Sequence, residues 1–175
     1  MTYSELDPTI SDFGDYGNYR DIITPGSIEA DTKWEYSYPN LTFGTIADNY
    51  WGGQCQVYDR DAKFKISDLK DIKDFTLNRV GFDDYLWIKL NDQTIYVGPH
   101  GGDRVELKNN GHLTGVTTDG TNQHSCELGT NWNKDLNIDL KPYLNEGDNI
   151  LWTRTVVSGW GESWLNIKVK HQSDN

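Results

Sequence analysis

The adjacent carboxylates Asp83-Asp84, together with the histidines, are the residues of this chain whose types could carry chemistry. Two acids can divide general-acid and general-base work, but glycosidic chemistry needs them to flank the bond, not to neighbour one another. Adjacent side chains on a strand point to opposite faces. The expectation is therefore that one acid caps a turn and the other is solvated. His100 and His112 sit in glycine-rich stretches with no Ser or Cys nucleophile in a recognisable motif, and Thr121-Asn122-Gln123-His124-Ser125 is not a nucleophile elbow. Asp83, Asp84, Asp92 and Asp103 could offer oxygens to a calcium ion, yet no motif fixes their geometry. No catalytic residue, no metal ligand set and no cofactor is expected.

Cys55 and Cys126 are the two cysteines. No Cys-x-x-Cys or Cys/His group accompanies them, and His124 beside Cys126 is only a pair, so zinc is not indicated. Two buried thiols or one disulfide remain. Few aliphatic residues and a secreted-looking composition favour the disulfide, worth about 4–5 kcal/mol in the chain-entropy treatment. That places the chain in an oxidising, extracytoplasmic compartment. Met1 is the only methionine, and polar residues follow it where a signal peptide would carry a basic start and an apolar run.

The elements that position these residues are β-strands. Seventeen glycines, five prolines and 13% aromatic residues describe turn-rich β structure whose core is built on rings. Trp34, Tyr36 and Tyr38 alternate with polar residues, and Leu41, Phe43 and Thr45 continue after Pro39. Cys55–Asp59, 62–66, Phe75–Val80 and Tyr85–Leu90 follow as strands, the last with Tyr85, Trp87 and Lys89 on one face and Leu86, Ile88 and Leu90 on the other. Thr94–Val97 returns as a hairpin arm after the Asn91-Asp92-Gln93 turn. Leu136–Leu140, Ile150–Val157 and Trp164–Val169 complete the series, with 158–163 as a glycine turn. Residues 108–125 form a polar excursion with little to bury. No helix-period segment of useful length occurs. The fold class predicted is an all-β antiparallel β-sandwich of about eight to ten strands.

Charge is uneven. The net charge is −11, and residues 1–50 carry nine acids against two bases. Such a chain lacks the basic face that phosphate recognition needs, and no apolar run approaches the roughly 20 residues of a membrane span. The chain is expected to be a single domain over 1–175, with residues 1–48 an acidic, loosely patterned arm and 49–170 the sandwich core.

From Phe75 onward the order of elements resembles the jelly-roll, galactose-binding-like domains attached to glycoside hydrolases. The carriers are Asp83-Asp84-Tyr85-Leu86-Trp87-Ile88-Lys89-Leu90-Asn91, its return strand, and Asp139-Leu140-Lys141-Pro142-Tyr143-Leu144-Asn145-Glu146-Gly147-Asp148-Asn149. A closer resemblance covers 49–170. Tyr50-Trp51-Gly52-Gly53-Gln54-Cys55-Gln56-Val57-Tyr58, Asp83-Asp84, Val97-Gly98-Pro99, Cys126-Glu127 and Gly159-Trp160-Gly161-Glu162-Ser163-Trp164 are together similar to TraN, the plasmid-encoded outer-membrane family that stabilises mating pairs in conjugation. TraN chains are longer and richer in cysteine, so this sequence would correspond to the tip.

The resemblance implies a non-enzymatic, surface-exposed domain on the outer membrane of a Gram-negative donor. It would dock onto a recipient outer-membrane β-barrel protein, a porin or an OmpW- or OmpA-like protein, and so set host specificity. The remainder of TraN would be its other partner. A projecting polar loop with one or two apolar anchors suits the mouth of a barrel. The candidate receptor contacts are Asn109, Asn110, His112, Leu113, Val116, Thr117, Asp119 and Asn122, with Trp160 as a secondary candidate. The alternative is a carbohydrate-binding jelly-roll module, since exposed Trp and Tyr stack on sugars.

Overall fold

The computed structural model describes residues 23–28, 31–48, 55–108 and 115–171. Among the described residues thirteen strands run β1 (Ile23–Ile28), β2 (Thr32–Ser37), β3 (Asn40–Asp48), β4 (Gln56–Ile66), β5 (Ile72–Phe82), β6 (Tyr85–Leu90), β7 (Gln93–Gly98), β8 (Glu106–Lys108), β9 (Gly115–Thr117), β10 (Gln123–Ser125), β11 (Trp132–Asp139), β12 (Gly147–Val157) and β13 (Trp160–His171). Short 3-10 turns at Leu69–Asp71 and Lys141–Tyr143 are the helical elements among the described residues.

Two five-stranded antiparallel sheets, ordered β1-β4-β12-β6-β7 and β11-β5-β13-β3-β2, form a sandwich-like arrangement, and β10-β9-β8 makes a third, smaller sheet. Alternation along the strands fills the space between the large sheets. The first contributes Phe64, Ile66, Leu86, Ile88, Leu90 and Leu151; the second contributes Trp34, Phe43, Phe75, Leu77, Leu165 and Ile167. Rings bridge the layers, since Trp34 lies 5.9 Å from both Phe43 and Phe64 and Phe64 stacks on Phe75 at 6.1 Å. The aromatic surplus thus supplies contact area that the scarce aliphatics would not.

Several expectations change. Residues 23–48 are not an arm beside the core, because β1 pairs with β4, β3 pairs with β13, and Ile23, Trp34 and Leu41 are fully buried. The boundary drawn at 48/49 falls inside the sandwich. The segments Cys55–Asp59 and 62–66 merge into the single strand β4, whose polar centre is held by β12 along its whole length. The last strand begins at Trp160, paired with Asp48, which leaves only Ser158 and Gly159 as the turn.

The small sheet covers part of the outer face of the first sheet. Tyr85, Val97, Val105, Val116, Cys126 and Val156 make a second apolar cluster there, and it seats the small sheet. The disulfide Cys55–Cys126, Cα–Cα 5.7 Å, ties the end of β10 to the start of β4. The excursion 108–125 is therefore not a free loop: it contains β9 and β10, and Val116 is fully buried.

Candidate functional site

The small sheet gathers most of the candidate residues that the structure describes. Val116 and Thr117 are both buried in β9, Val116 against the second apolar cluster. Asp119 and Asn122 are exposed in the turn between β9 and β10. Asn109, Asn110, His112 and Leu113 lie outside the described residues, as does the Trp160 side chain. Trp160 is placed only by its backbone, at the head of β13.

The 118–122 turn is organised by its own hydrogen bonds. Asp119 Oδ1 accepts from the Thr121 backbone N–H at 2.9 Å, from the Thr121 hydroxyl at 2.9 Å and from the Asn122 N–H at 3.1 Å. These bonds, the Thr121 N–H first, hold the Asp119 carboxyl down at about 2. Gly120 occupies the left-handed region at φ +82°, where a side chain would be strained. The root of the turn is clamped as well. Thr118 O accepts from the Asp103 N–H at 2.9 Å and the Arg104 N–H at 3.2 Å. A Cβ on Gly102 would lie 2.0 Å from that same oxygen, so glycine is what permits the approach. Behind it, the His100 and His124 rings stack at 4.0 Å, and burial followed by the neighbouring His124 pulls the His100 pKa down. The Tyr85 hydroxyl, its pKa pushed up to about 12 by burial and the Asp84 charge, donates to Ser125 O at 2.6 Å.

Asp83 and Asp84 occupy the β5–β6 turn, not a strand, so they do not splay to opposite faces. Asp84 is buried and bridges three segments by accepting from Leu128 N–H at 2.9 Å and Ser158 N–H at 3.1 Å. This is the capping role expected for one of the two acids. Asp83 is half-buried, and burial, the Asp84 charge and a hydrogen bond to Asp84 raise its carboxyl to about 6. With Asp84 committed to backbone donors, the pair is a brace between loops. Among the described residues no group of three or more His, Cys, Asp or Glu could hold a metal ion, and no helix is long and apolar enough to cross a membrane.

The half of the same sheet face beyond the small sheet carries a cluster that no single strand's pattern shows. Trp87 and Trp152 meet edge to face at 4.8 Å, and Lys89 Nζ lies 4.7 Å and 4.5 Å from their ring centres. Arg154 lies over both rings and is fixed by Asp59 at 2.8 and 2.9 Å and by Val105 O at 2.9 Å. Tyr85, Trp87 and Lys89 sharing a face was visible in sequence. The register that sets Arg154 opposite Trp87 and Trp152 opposite Lys89 was not.

No protein-family model matches this chain, and no curated protein is significantly similar to it.

Proposed function

We infer that this chain is a non-enzymatic recognition domain, the tip of a TraN-like outer-membrane conjugation protein, and that it docks onto a recipient outer-membrane β-barrel protein. The observation that carries the reading is the self-hydrogen-bonded turn whose residues 119–122 are exposed, on a sheet pinned to the sandwich by a disulfide. A turn already held in one conformation loses little entropy on binding, which is how a rigid scaffold converts a small contact into affinity. The disulfide accords with an extracytoplasmic site of action, at the donor surface. The remainder of TraN would anchor the domain, and no nucleic acid or cofactor enters the mechanism.

The sandwich is proposed to be a jelly-roll of the galactose-binding-like kind. Support comes from the 139–149 run, which leads directly into the last hairpin. There Asn149 holds the turn through Asn145 N–H and O and the Gly147 carbonyl, and Asn91 joins it at 2.8 Å.

The test keeps the buried part of the excursion intact, because deleting 109–124 would remove Val116. Thr121→Arg with Asn122→Arg changes only exposed side chains. Donors carrying this variant should fold the domain normally and lose at least about tenfold in transfer to receptor-bearing recipients, a coupling of about 1.4 kcal/mol. Unchanged transfer into every recipient would refute docking through this turn.

A further inference from the structure

We propose that acid releases the 118–122 turn, with the stacked rings of His100 and His124 as the switch; this rests on the reading of that turn as the docking element. The loop between β7 and β8 grips the β9–β10 hairpin at both feet of the turn. At one foot, Thr118 O accepts from the Asp103 and Arg104 N–H groups at 2.9 and 3.2 Å. At the other, the His100 ring lies on the His124 ring, with centroids 4.0 Å apart and planes 21° from parallel. His124 is the register partner of Val116, so its ring shares the face by which the small sheet seats on the second apolar cluster. A single loop thus holds the two ends of the hairpin turn, and the stack is the half of that grip that can change charge near neutral pH.

Two imidazoles can stack while at least one is neutral. A proton on each sets two like charges 4.0 Å apart, which even in water shifts an equilibrium about sixfold towards separation. Burial, then the neighbouring His124, pulls the His100 pKa down, so the folded state takes up that proton less readily than the unfolded chain. The stabilisation from the stack is therefore complete above about 6.5 and is lost as the pH falls through the lowered folded value. The surrounding groups do not neutralise the pair. From β6 comes Tyr85, its ring 5.9 Å from His100 and its hydroxyl donated to Ser125 O. On the loop, Asp103 holds Arg104, which also meets Glu106 of β8 at 3.7 Å. Strand β9 offers the uncharged Gly115, Val116 and Thr117. In the turn, the Thr121 N–H above all keeps the Asp119 carboxyl at about 2, and Glu127 beyond β10 is exposed. Among the described residues none of these carboxylates pairs with either imidazole. Asp83, raised by burial to about 6, lies beside Asp84 in the brace next to Tyr85 and gains its proton over the same range.

The experiment is amide hydrogen exchange on the oxidised full chain at pH 7.5 and 5.0, read as protection after correction for the intrinsic pH dependence of exchange. Protection of the Asp103 and Arg104 amides should fall at least about fivefold in acid. His100 is exposed, so its substitution leaves the core untouched. His100→Phe keeps a ring on His124 that cannot be charged, and should hold protection at both pH values. His100→Gln removes the ring and should show the acid-like exchange already at pH 7.5. Asp83→Asn should respond to acid as the unsubstituted chain does. Equal protection at the two pH values, the same acid loss in His100→Phe, or full protection of His100→Gln at pH 7.5 would overturn the proposal. So would an acid response that disappears in Asp83→Asn, which would belong to the brace. Capture of a recipient barrel protein should weaken in parallel at pH 5.0 and persist in His100→Phe; capture indifferent to pH while exchange responds would also overturn it. The exchange readout needs no receptor, so failure of capture at pH 7.5 beside an intact exchange response counts against the docking reading and leaves the acid release standing.

Discussion

Breaking the Cys55–Cys126 link gives a magnitude that follows from the chain itself. The cysteines are 71 positions apart and join β10 to β4, so the link closes a loop holding β4 to β10. For a loop of that length the chain-entropy treatment gives a denatured-state penalty of about 15 cal/mol/K, or about 4.4 kcal/mol at 25 °C. In a domain of this size each kcal/mol moves the melting temperature by about 2–4 °C, so the expected loss is roughly 9–18 °C. The assay is urea unfolding of the oxidised protein beside the Cys55→Ser/Cys126→Ser variant, followed by fluorescence and by hydrogen exchange in β8–β10. Both probes should shift, with exchange in the small sheet rising most, since the second apolar cluster alone then seats it. A stability change below about 1 kcal/mol would refute the claim that the link holds this sheet to the sandwich.

Other expectations concern single residues. Asp83 has a folded pKa of about 6 against an ordinary value of 3.8, so the folded state holds its proton more tightly. Its contribution to stability is full below about 3.8 and disappears as the pH rises through about 6; denaturation from pH 4 to 8 should show this slope reduced in Asp83→Asn, and an identical slope would refute it. Asn149→Ala strands the Asn145 N–H and two carbonyls and should cost about 2–4 kcal/mol by chemical denaturation. A loss under about 1 kcal/mol would show the turn is held otherwise. Gly102→Ala should release the 99–104 loop from Thr118, seen as faster exchange at the Asp103 and Arg104 amides without global unfolding.

Strands that alternate against a single buried face were legible in the sequence. Leu86, Ile88 and Leu90 were assigned to one face of β6 and all three are core. Elements whose burial depends on a distant partner were not. β9 has three residues, Gly115–Thr117, too few to show a period, and it is buried only because Tyr85, Val97 and Val156 lie beneath it. β1 contains Pro25 and Gly26, which read as punctuation; at a sheet edge with an irregular register both are tolerated. Of the pair Asp83-Asp84, expected as one turn cap and one solvated acid, Asp84 does cap backbone N–H groups, whereas Asp83 is half-buried beside it in the β5–β6 turn. The Trp87–Trp152 cluster needed the β6–β12 register, which no single segment encodes.

Capture of solubilised recipient outer-membrane proteins on the immobilised domain, identified by mass spectrometry, tests the recognition reading most directly. Saturable enrichment of one β-barrel protein is expected, lost when Thr121→Arg and Asn122→Arg are introduced into a domain that still folds. Absence of any barrel protein from the captured set, or equal capture by the variant, would contradict it.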